Sequence, residues 1–227
     1  MSCEFLFLDL DDTILDFGAT EKKSISRLLE AMGITPTDEL LRRYHVINLE
    51  HWQQLERGEI TRDQINNRFH VLFAELGKQV DALHCETLYR RYLSEDAQYM
   101  PGAEGVVERL SKKYRLFLAS NGTASVQHGR LAITGLGKYF EGIFISEEVG
   151  ANKPSKEFFQ RSFAQIPDFD PAKAMIVGDS KTSDILGGIH AGIATCWVNF
   201  RQKVIRPEIV PDYEIASISE LEALLEA

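Results

Sequence analysis

The stretch Glu4-Phe-Leu-Phe-Leu-Asp9-Leu-Asp11-Asp12-Thr13 decides the fold. Its apolar run shows no polar alternation, which is typical of a strand buried on both faces of a parallel sheet. The run ends in a cluster of carboxylates, at the point where the strand would leave the sheet. Because open α/β sheets bind ligands at the carboxyl ends of their strands, this stretch predicts both the sheet and the edge where a site would lie.

Four further apolar runs have the length of a buried strand, and each ends in a small or polar residue; they lie at 115–120, 142–146, 174–179 and 194–199. Segments of helical length and period separate or flank them, at 102–113, 123–134, 155–165 and 182–191. Strands that alternate with helices predict right-handed crossovers and a Rossmann-like parallel sheet covered on both faces. An edge strand at 213–216 and a helix at 219–225 would complete this α/β core.

The segment between residues 17 and 97 interrupts the alternation. It contains four helical patterns, at 19–32, 37–57, 61–76 and 80–93, and the first three stop at Gly33, Gly58 and Gly77. An insertion of this length is a helical bundle rather than a loop. We therefore predict a discontinuous α/β core domain at 1–16 and 98–227 and an inserted helical domain at 17–97.

Composition excludes several classes of protein. The 227 residues carry 25 basic and 34 acidic side chains, a formal net charge of −9, which argues against a nucleic-acid partner. The three cysteines are far apart and form no CxxC pair, so we expect neither a disulfide framework nor a zinc site, and a reducing, cytoplasmic location. No apolar run approaches the roughly 18 residues of a membrane span, so no membrane partner is expected.

Carboxylates follow two of the predicted strands. Asp9 and Asp11 follow the first, while Asp179 ends a later strand and Asp184 lies in the helix after it. Strand ends of a parallel sheet converge on one edge, and like charges brought together raise one another's pKa unless a cation lies among them. Oxygen ligands without a Cys or His cluster favour Mg²⁺. The alternative is that these side chains only cap strand ends or lie in a solvated turn.

Groups suited to an anion lie near the same edge. Ser120 ends the second core strand, and Asn121-Gly122 form a turn whose backbone N–H groups can receive a phosphate at a helix start. Lys153, in the loop before another helix, could add a fixed positive charge. Taken alone, a serine at a strand end is usually a cap and a single lysine a surface residue, but their common placement favours a phosphate site.

Four ordered segments carry a family resemblance: Asp9-Leu-Asp11-Asp12-Thr13, Ser120-Asn-Gly122, Lys153-Pro154 and Gly178-Asp179-Ser180-Lys-Thr-Ser-Asp184. They resemble the four motifs of the haloacid-dehalogenase-like (HAD) phosphohydrolases, and the helical insertion resembles the cap of one large class of these enzymes. The segments 129–131, 134–136, 145–150 and above all 184–199 are similar to the bacterial house-cleaning pyrimidine 5′-nucleotidases, the YjjG group. Several of these segments pack strands or helices, so they indicate kinship rather than substrate contacts.

The resemblance implies a Mg²⁺-dependent phosphomonoester hydrolase that works through an aspartyl-phosphate. Asp9 would be the nucleophile and Asp11 the general acid and base. The metal would be held by Asp9, Asp179 and the backbone carbonyl of Asp11, with Asp184 orienting metal-bound water or Lys153. Phosphate oxygens would be held by a set of four residues, namely Ser120, Asn121, Gly122 and Lys153.

The resemblance also implies the partner, a small phosphate monoester, and specifically a pyrimidine nucleoside monophosphate. A phosphatase of another metabolite, such as a sugar phosphate or phosphoglycolate, would share all the core residues, and a phosphomutase is not excluded. A metal-free dehalogenase is disfavoured because that reaction needs no acid at the position of Asp11. A non-catalytic phospho-accepting signalling module is the alternative from another class. Either a monomer or a homodimer fits the sequence.

Overall fold

A computed structural model describes residues 3–202 and 206–226 and contains one six-stranded sheet. The strands are β1 (Phe5–Leu8), β2 (Arg115–Ser120), β3 (Gly142–Ile145), β4 (Ala174–Gly178), β5 (Ala194–Val198) and β6 (Tyr213–Ile215). All neighbouring strands are parallel, in the order β3-β2-β1-β4-β5-β6. The predicted Rossmann-like parallel sheet is confirmed.

The strand order reverses at the centre of the sheet. β1 pairs with β2 on one side and with β4 on the other, with Leu8 opposite both Leu118 and Val177. Chain connections on the two sides of such a point diverge, which opens a crevice beyond the carboxyl ends of the central strands. The residues that follow β1, β2 and β4 therefore line the position at which a ligand would bind.

Aromatic side chains pack the central first strand into the core. All four residues of β1 are buried, and the Phe7 ring lies 5.2 Å from that of Phe117 and 5.3 Å from that of Phe163, centroid to centroid. Phe5 and Phe144 belong to the same cluster on this side of the sheet. Burying one such ring stabilises the fold by roughly 1.5–3 kcal/mol, so β1 is a rigid base for the residues that follow it.

Helices cover the sheet: α5 (Val106–Ser111), α6 (Ala124–Thr134), α7 (Ser146–Val149), α8 (Lys156–Phe163), α9 (Leu186–Ala191) and α10 (Leu221–Glu226). Two of them, α5 and α9, begin four residues later than predicted, at residues 106 and 186 rather than 102 and 182. α5 begins only at residue 106 because Gly102 and Gly105 have positive φ angles of 77° and 76°, outside helical geometry. The helix predicted at 182–191 is preceded by a π-helical turn, Lys181–Ile185.

The insertion consists of α1 (Phe17–Ala31), α2 (Asp38–Glu56), α3 (Asn67–Glu75) and α4 (Ala82–Ser94). The helix predicted at 61–76 is divided, because the Thr61–Gln64 capping box closes a short 3₁₀ turn before α3 begins. Aromatic residues form the interior, with the Phe69 ring 5.9 Å from Tyr44 and 5.6 Å from Tyr89. These rings are therefore core residues of the bundle, as their helical spacing indicates.

The chain forms two compact units. Residues up to Phe17 and from Gln98 onward form the core unit, and Gly18–Ala97 form the helical unit. The passages that leave and re-enter the core unit are paired, since the Asp16 amide donates to the Gln98 carbonyl at 2.9 Å and Leu15 bridges Tyr99 in antiparallel fashion. None of the helices among the described residues combines the length and apolarity needed to cross a membrane.

Candidate active site

Asp9 and Asp179 lie side by side at the centre of the sheet edge, each one residue beyond a central strand. The Asp9 amide continues the ladder by donating to the Val177 carbonyl at 2.9 Å. The backbone carbonyl of Asp179 accepts from the Trp197 indole N–H at 2.8 Å, which fixes it against β5. One carboxylate oxygen each from Asp9, Asp179 and Asp184 lie within 4.8 Å of one another, a spacing compatible with a common metal ion.

The π-helical turn brings Asp184 to this edge. Ser180 begins the turn. Its Oγ accepts a hydrogen bond from the Ser183 amide at 3.2 Å, and its own amide donates to Asp184 Oδ2 at 3.0 Å. A Cβ atom on Gly178 would overlap the Asp184 carboxylate, so the end of β4 can accommodate this side chain only because residue 178 is glycine. π-helical turns often occur at functional sites.

Lys153 carries the positive charge of the site and is only 1% exposed. Its Nζ donates to Asp9 Oδ1 at 2.7 Å, to Asp184 Oδ1 at 2.6 Å and to the Ala119 carbonyl at 2.6 Å, so all three donors are used. The Asn121 side chain holds the lysine backbone, since its Oδ1 accepts from the Lys153 amide at 2.8 Å and its Nδ2 donates to the Lys153 carbonyl at 2.9 Å. The lysine is thereby fixed at both ends.

Burial and mutual repulsion shift the pKa values of these groups. Burial raises the pKa of Asp9 well above its ordinary value, and the Asp184 and Asp11 charges add to this, while Lys153 opposes it. Burial, followed by the charges of Asp184 and Asp9, likewise raises the pKa of Asp179. Burial lowers the pKa of Lys153, but Asp184 and Asp9 outweigh burial and hold it above its usual range, so the lysine is charged.

The charge balance suits a divalent cation. Three ionised carboxylates, Asp9, Asp179 and Asp184, against the one ammonium of Lys153 leave two uncompensated negative charges in a buried site. Such a cluster is unfavourable unless a cation joins it or protons are taken up. The donors are all oxygens, which Mg²⁺ prefers. The residues present therefore fit the predicted metal, with Asp184 able to serve either as a ligand or as the partner that orients Lys153.

Asp11 is held by two residues of α6. Its Oδ1 is paired with the Arg130 guanidinium, and its Oδ2 accepts from Gln127 Nε2 at 2.7 Å. The neighbouring Asp12 has a positive φ of 55°, and its Oδ1 accepts from the Phe17 amide at 2.9 Å, so it shapes the turn. Asp11 is thus two residues from Asp9 in the sequence, but it is bonded to Gln127 and Arg130, whereas Asp9 is bonded to Lys153.

The hydroxyl of Ser120 is prepared to donate. Its Oγ accepts from the Gly122 amide at 3.1 Å and from Gln127 Nε2 at 2.8 Å. A hydroxyl has two acceptor positions and one donor, so these bonds occupy the acceptor positions and leave the O–H for an acceptor such as a phosphate oxygen. The Gly122 amide, itself expected to hold phosphate, donates here to Ser120.

Comparison with known proteins adds an independent observation. The model of the haloacid dehalogenase-like hydrolase family matches residues 6–198, which include every predicted site residue. The chain belongs to this family. A HAD-like hydrolase is what the four sequence segments indicated, and that assignment is confirmed.

Individual relatives of this HAD-like hydrolase include two pyrimidine 5′-nucleotidases. PynA of Streptococcus pneumoniae is 35% identical over 97% of this chain and 94% of its own, and YjjG of Escherichia coli is 32% identical over 99% of both. The HAD-hydrolase YfnB of Bacillus subtilis is 41% identical over 97% of this chain and 94% of its own. A crystal structure of YfnB bound to magnesium superposes with a TM-score of 0.95, at 39% identity and full coverage of both chains.

Two polar residues of the site were not anticipated from the sequence of this HAD-like hydrolase. Gln127 and Arg130 lie on the buried face of α6 together with Val126 and Leu131. A polar pair at i and i+3 on an otherwise apolar face is the signal that could have identified them, because such groups are seldom buried without a partner. Of the predicted residues, Asp9, Asp179, Asp184 and Lys153 lie together beyond the ends of β1 and β4, and Ser120, Asn121 and Gly122 lie at the end of β2.

Proposed function

We propose that this protein is a Mg²⁺-dependent phosphatase that hydrolyses pyrimidine nucleoside 5′-monophosphates through an aspartyl-phosphate at Asp9. The observation that carries the proposal is the arrangement at the sheet edge. There, a carboxylate oxygen of Asp9 lies within 4.8 Å of one of Asp179, and the fixed ammonium of Lys153 donates to Asp9 Oδ1 at 2.7 Å. An attacking carboxylate needs such a partner to approach a dianionic phosphate.

In the first step, a carboxylate oxygen of Asp9 forms a bond to phosphorus, and the bond from phosphorus to the 5′-oxygen breaks. Asp11 gives its proton to the departing oxygen. In the second step, Asp11 takes a proton from water, which attacks the phosphorus and releases Asp9 and inorganic phosphate. Splitting the hydrolysis in this way replaces one difficult displacement by two easier ones, and proton transfer by a positioned acid is worth on the order of 10²–10⁴-fold.

Other groups hold the transferring oxygens. The Ser120 hydroxyl would donate to one of them, and the positive charge of Lys153 would offset their negative charge while its bond to Oδ1 keeps Asp9 in place. Mg²⁺ bound by Asp9, Asp179 and the Asp11 backbone carbonyl would neutralise charge on the phosphoryl group. Donors that are fixed before the reaction need no reorganisation as charge develops, which is why such sites stabilise the transition state.

The choice of leaving group follows from the relatives. Two proteins named as pyrimidine 5′-nucleotidases match over essentially the whole chain, including the helical unit. The core residues are equally compatible with a sugar phosphate. We therefore test the assignment by measuring kcat/KM with Mg²⁺ for dUMP, dTMP, purine monophosphates and sugar phosphates. We expect pyrimidine nucleotides to rank first, and a preference of tenfold or more for a sugar phosphate would overturn the nucleotide assignment.

The covalent intermediate has its own test. Asp9→Asn removes the nucleophile while preserving shape, so we expect no turnover and an unchanged far-UV circular dichroism spectrum. Rapid acid quenching of the parent protein during turnover should trap phosphate on the protein, and the variant should trap none. Turnover by Asp9→Asn would place the nucleophile elsewhere, and a phosphoprotein that accumulates without hydrolysis would favour a signalling module.

A further inference from the structure

Gln127 and Arg130 form a polar pair on α6 that contacts two groups of the candidate site at once. Arg130 Nη1 is paired with Asp11 Oδ1 and donates to Gln127 Oε1 at 3.2 Å. Gln127 Nε2 donates both to Asp11 Oδ2 at 2.7 Å and to Ser120 Oγ at 2.8 Å. Both oxygens of the Asp11 carboxylate are therefore held from α6.

The burial of Arg130 is expensive for the fold. Its side chain is 0% exposed, and within the described residues its Nε and Nη2 have no hydrogen-bond partner. Its guanidinium carbon lies 5.7 Å from the centroid of the Phe17 ring. Leaving donors of a charged group buried and unsatisfied is destabilising. An arrangement that costs stability at a candidate active site is better explained by the reaction than by folding.

Gln127 links the two halves of the site. Its amide orientation is fixed, because the oxygen accepts from Arg130 while the two N–H groups reach Asp11 and Ser120. The Gln127 side chain fits at this position because residue 122 is glycine, since a Cβ atom there would overlap the Gln127 amide group. One side chain thus sets the distance between the residue that would protonate the leaving group and the hydroxyl that would hold the phosphate.

We propose that Gln127 and Arg130 are positioning residues that fix the Asp11 carboxylate and the Ser120 hydroxyl relative to each other for leaving-group protonation. This inference rests on the proposed function, in which Asp11 is the acid. An alkyl leaving group, such as a nucleoside 5′-oxygen, is a poor one and depends on a well-aligned proton donor. An aryl leaving group departs without much help, so it reports on the rest of the site.

The test compares Gln127→Met and Arg130→Met on the two kinds of ester. In the full-length protein with Mg²⁺, we expect kcat for a nucleoside 5′-monophosphate to fall at least ~10-fold more than kcat for p-nitrophenyl phosphate. The variants would lose part of the rate enhancement that a positioned proton donor provides, and only the alkyl ester depends on it. Val126→Ala, which removes apolar contacts from the buried face of α6, is the matched control and should lower both rates equally. Equal losses in the Gln127 and Arg130 variants would overturn the proposal.

Two further measurements separate this proposal from the proposed function. In an Asp11→Asn background, Gln127→Met should lower kcat on the alkyl and aryl esters equally, because only its contact with Ser120 is left to lose, whereas a further loss confined to the alkyl ester would mean that Gln127 does not act through Asp11. In crystals of either methionine variant, the Asp11 side chain should leave its present rotamer, and an unmoved Asp11 overturns the positioning role whatever the activity. If the parent protein releases phosphate from neither ester, the proposed function fails, and the crystal result alone decides the positioning role.

Discussion

At the scale of single residues, Lys153 is a buried cation that contacts the proposed nucleophile. It is ion-paired with two carboxylates, Asp9 and Asp184, neither of which has another cationic partner among the described residues. Removing one member of a buried ion pair leaves an uncompensated charge and costs about 3–5 kcal/mol. The lysine therefore stabilises the fold as well as placing the proposed nucleophile.

We expect Lys153→Met to lower the free energy of unfolding by about 3–5 kcal/mol, measured by urea unfolding in the presence of EDTA. Lys112→Met is the control, because Lys112 pairs with Glu108 on the surface and its loss should leave the unfolding curve unchanged. Unchanged stability in Lys153→Met would mean that Asp9 and Asp184 are uncharged in the folded protein.

The positions of residues at strand ends follow from the sequence pattern, whereas those of residues on a helix face do not. Asp9, Ser120 and Asp179 could be placed together because parallel strands end at one edge, whatever their separation in the chain. Gln127 and Arg130 could not, since the rotation of α6 about its axis depends on its packing. Asn121 was predicted to hold phosphate, but the contact of its side chain with the Lys153 backbone was not anticipated, because the loop that carries Lys153 has no periodic pattern.

At the scale of elements, glycine determines how closely the π-helical turn approaches β4. The Asp184 carboxylate occupies the space that a Cβ atom at position 178 would fill, so even a methyl group there must displace it. Gly178 also lies one residue before Asp179. The residue at the end of β4 must therefore be glycine, because the π-helical turn places the Asp184 side chain against it.

Gly178→Ala should displace Asp184, cost about 1–3 kcal/mol of stability through overpacking, and lower Mg²⁺-dependent phosphate release. Gly137→Ala is the matched control, because its added methyl would meet only Ile143 Cδ1 within 4 Å, at an ordinary 3.9 Å. Thermal unfolding and phosphate release measured on both variants check this. Full activity in Gly178→Ala would show that Asp184 is dispensable at its present position.

Element boundaries were predictable where a single residue type sets them. Gly33, Gly58 and Gly77 have φ angles of 70°, 70° and 66°, and the helices before them end as expected. Boundaries set by competing local bonds were not predictable. The Thr61–Gln64 capping box is equally compatible with the start of α3 and with a separate 3₁₀ turn. Only the surrounding packing decides between the two.

At the scale of the whole molecule, the excess negative charge at the sheet edge should make the fold sensitive to divalent cations. A ligand that binds only the folded state stabilises it by about 2.7 kcal/mol at 100 times its dissociation constant. We expect MgCl₂ to raise the unfolding temperature of EDTA-treated protein more than NaCl does at equal ionic strength. Asp179→Asn should abolish the difference, and an undiminished Mg²⁺ shift in this variant would place the cation elsewhere.

The two-unit organisation predicts that the core unit can fold alone. The passages beside the insertion are already held together by the Asp16–Gln98 hydrogen bond of 2.9 Å and by the Met100 amide, which donates to the Ile14 carbonyl at 2.9 Å. Replacing Gly18–Ala97 by a short Gly-Ser linker therefore closes a loop whose ends are near each other, at little entropic cost. All eight residues of the predicted site lie in the part that remains.

We expect the shortened protein to unfold cooperatively, to retain Mg²⁺-dependent cleavage of p-nitrophenyl phosphate, and to lose discrimination between nucleotides and sugar phosphates. The reason is that the proposed chemistry uses only core residues, so that removal of the insertion removes the remaining part of the chain that could select the leaving group. Calorimetry and the substrate panel measure these outcomes, with Asp9→Asn in the shortened protein as the control for background hydrolysis. Retained selectivity would locate specificity in the core unit, and the absence of a cooperative transition would show that the insertion is required for folding.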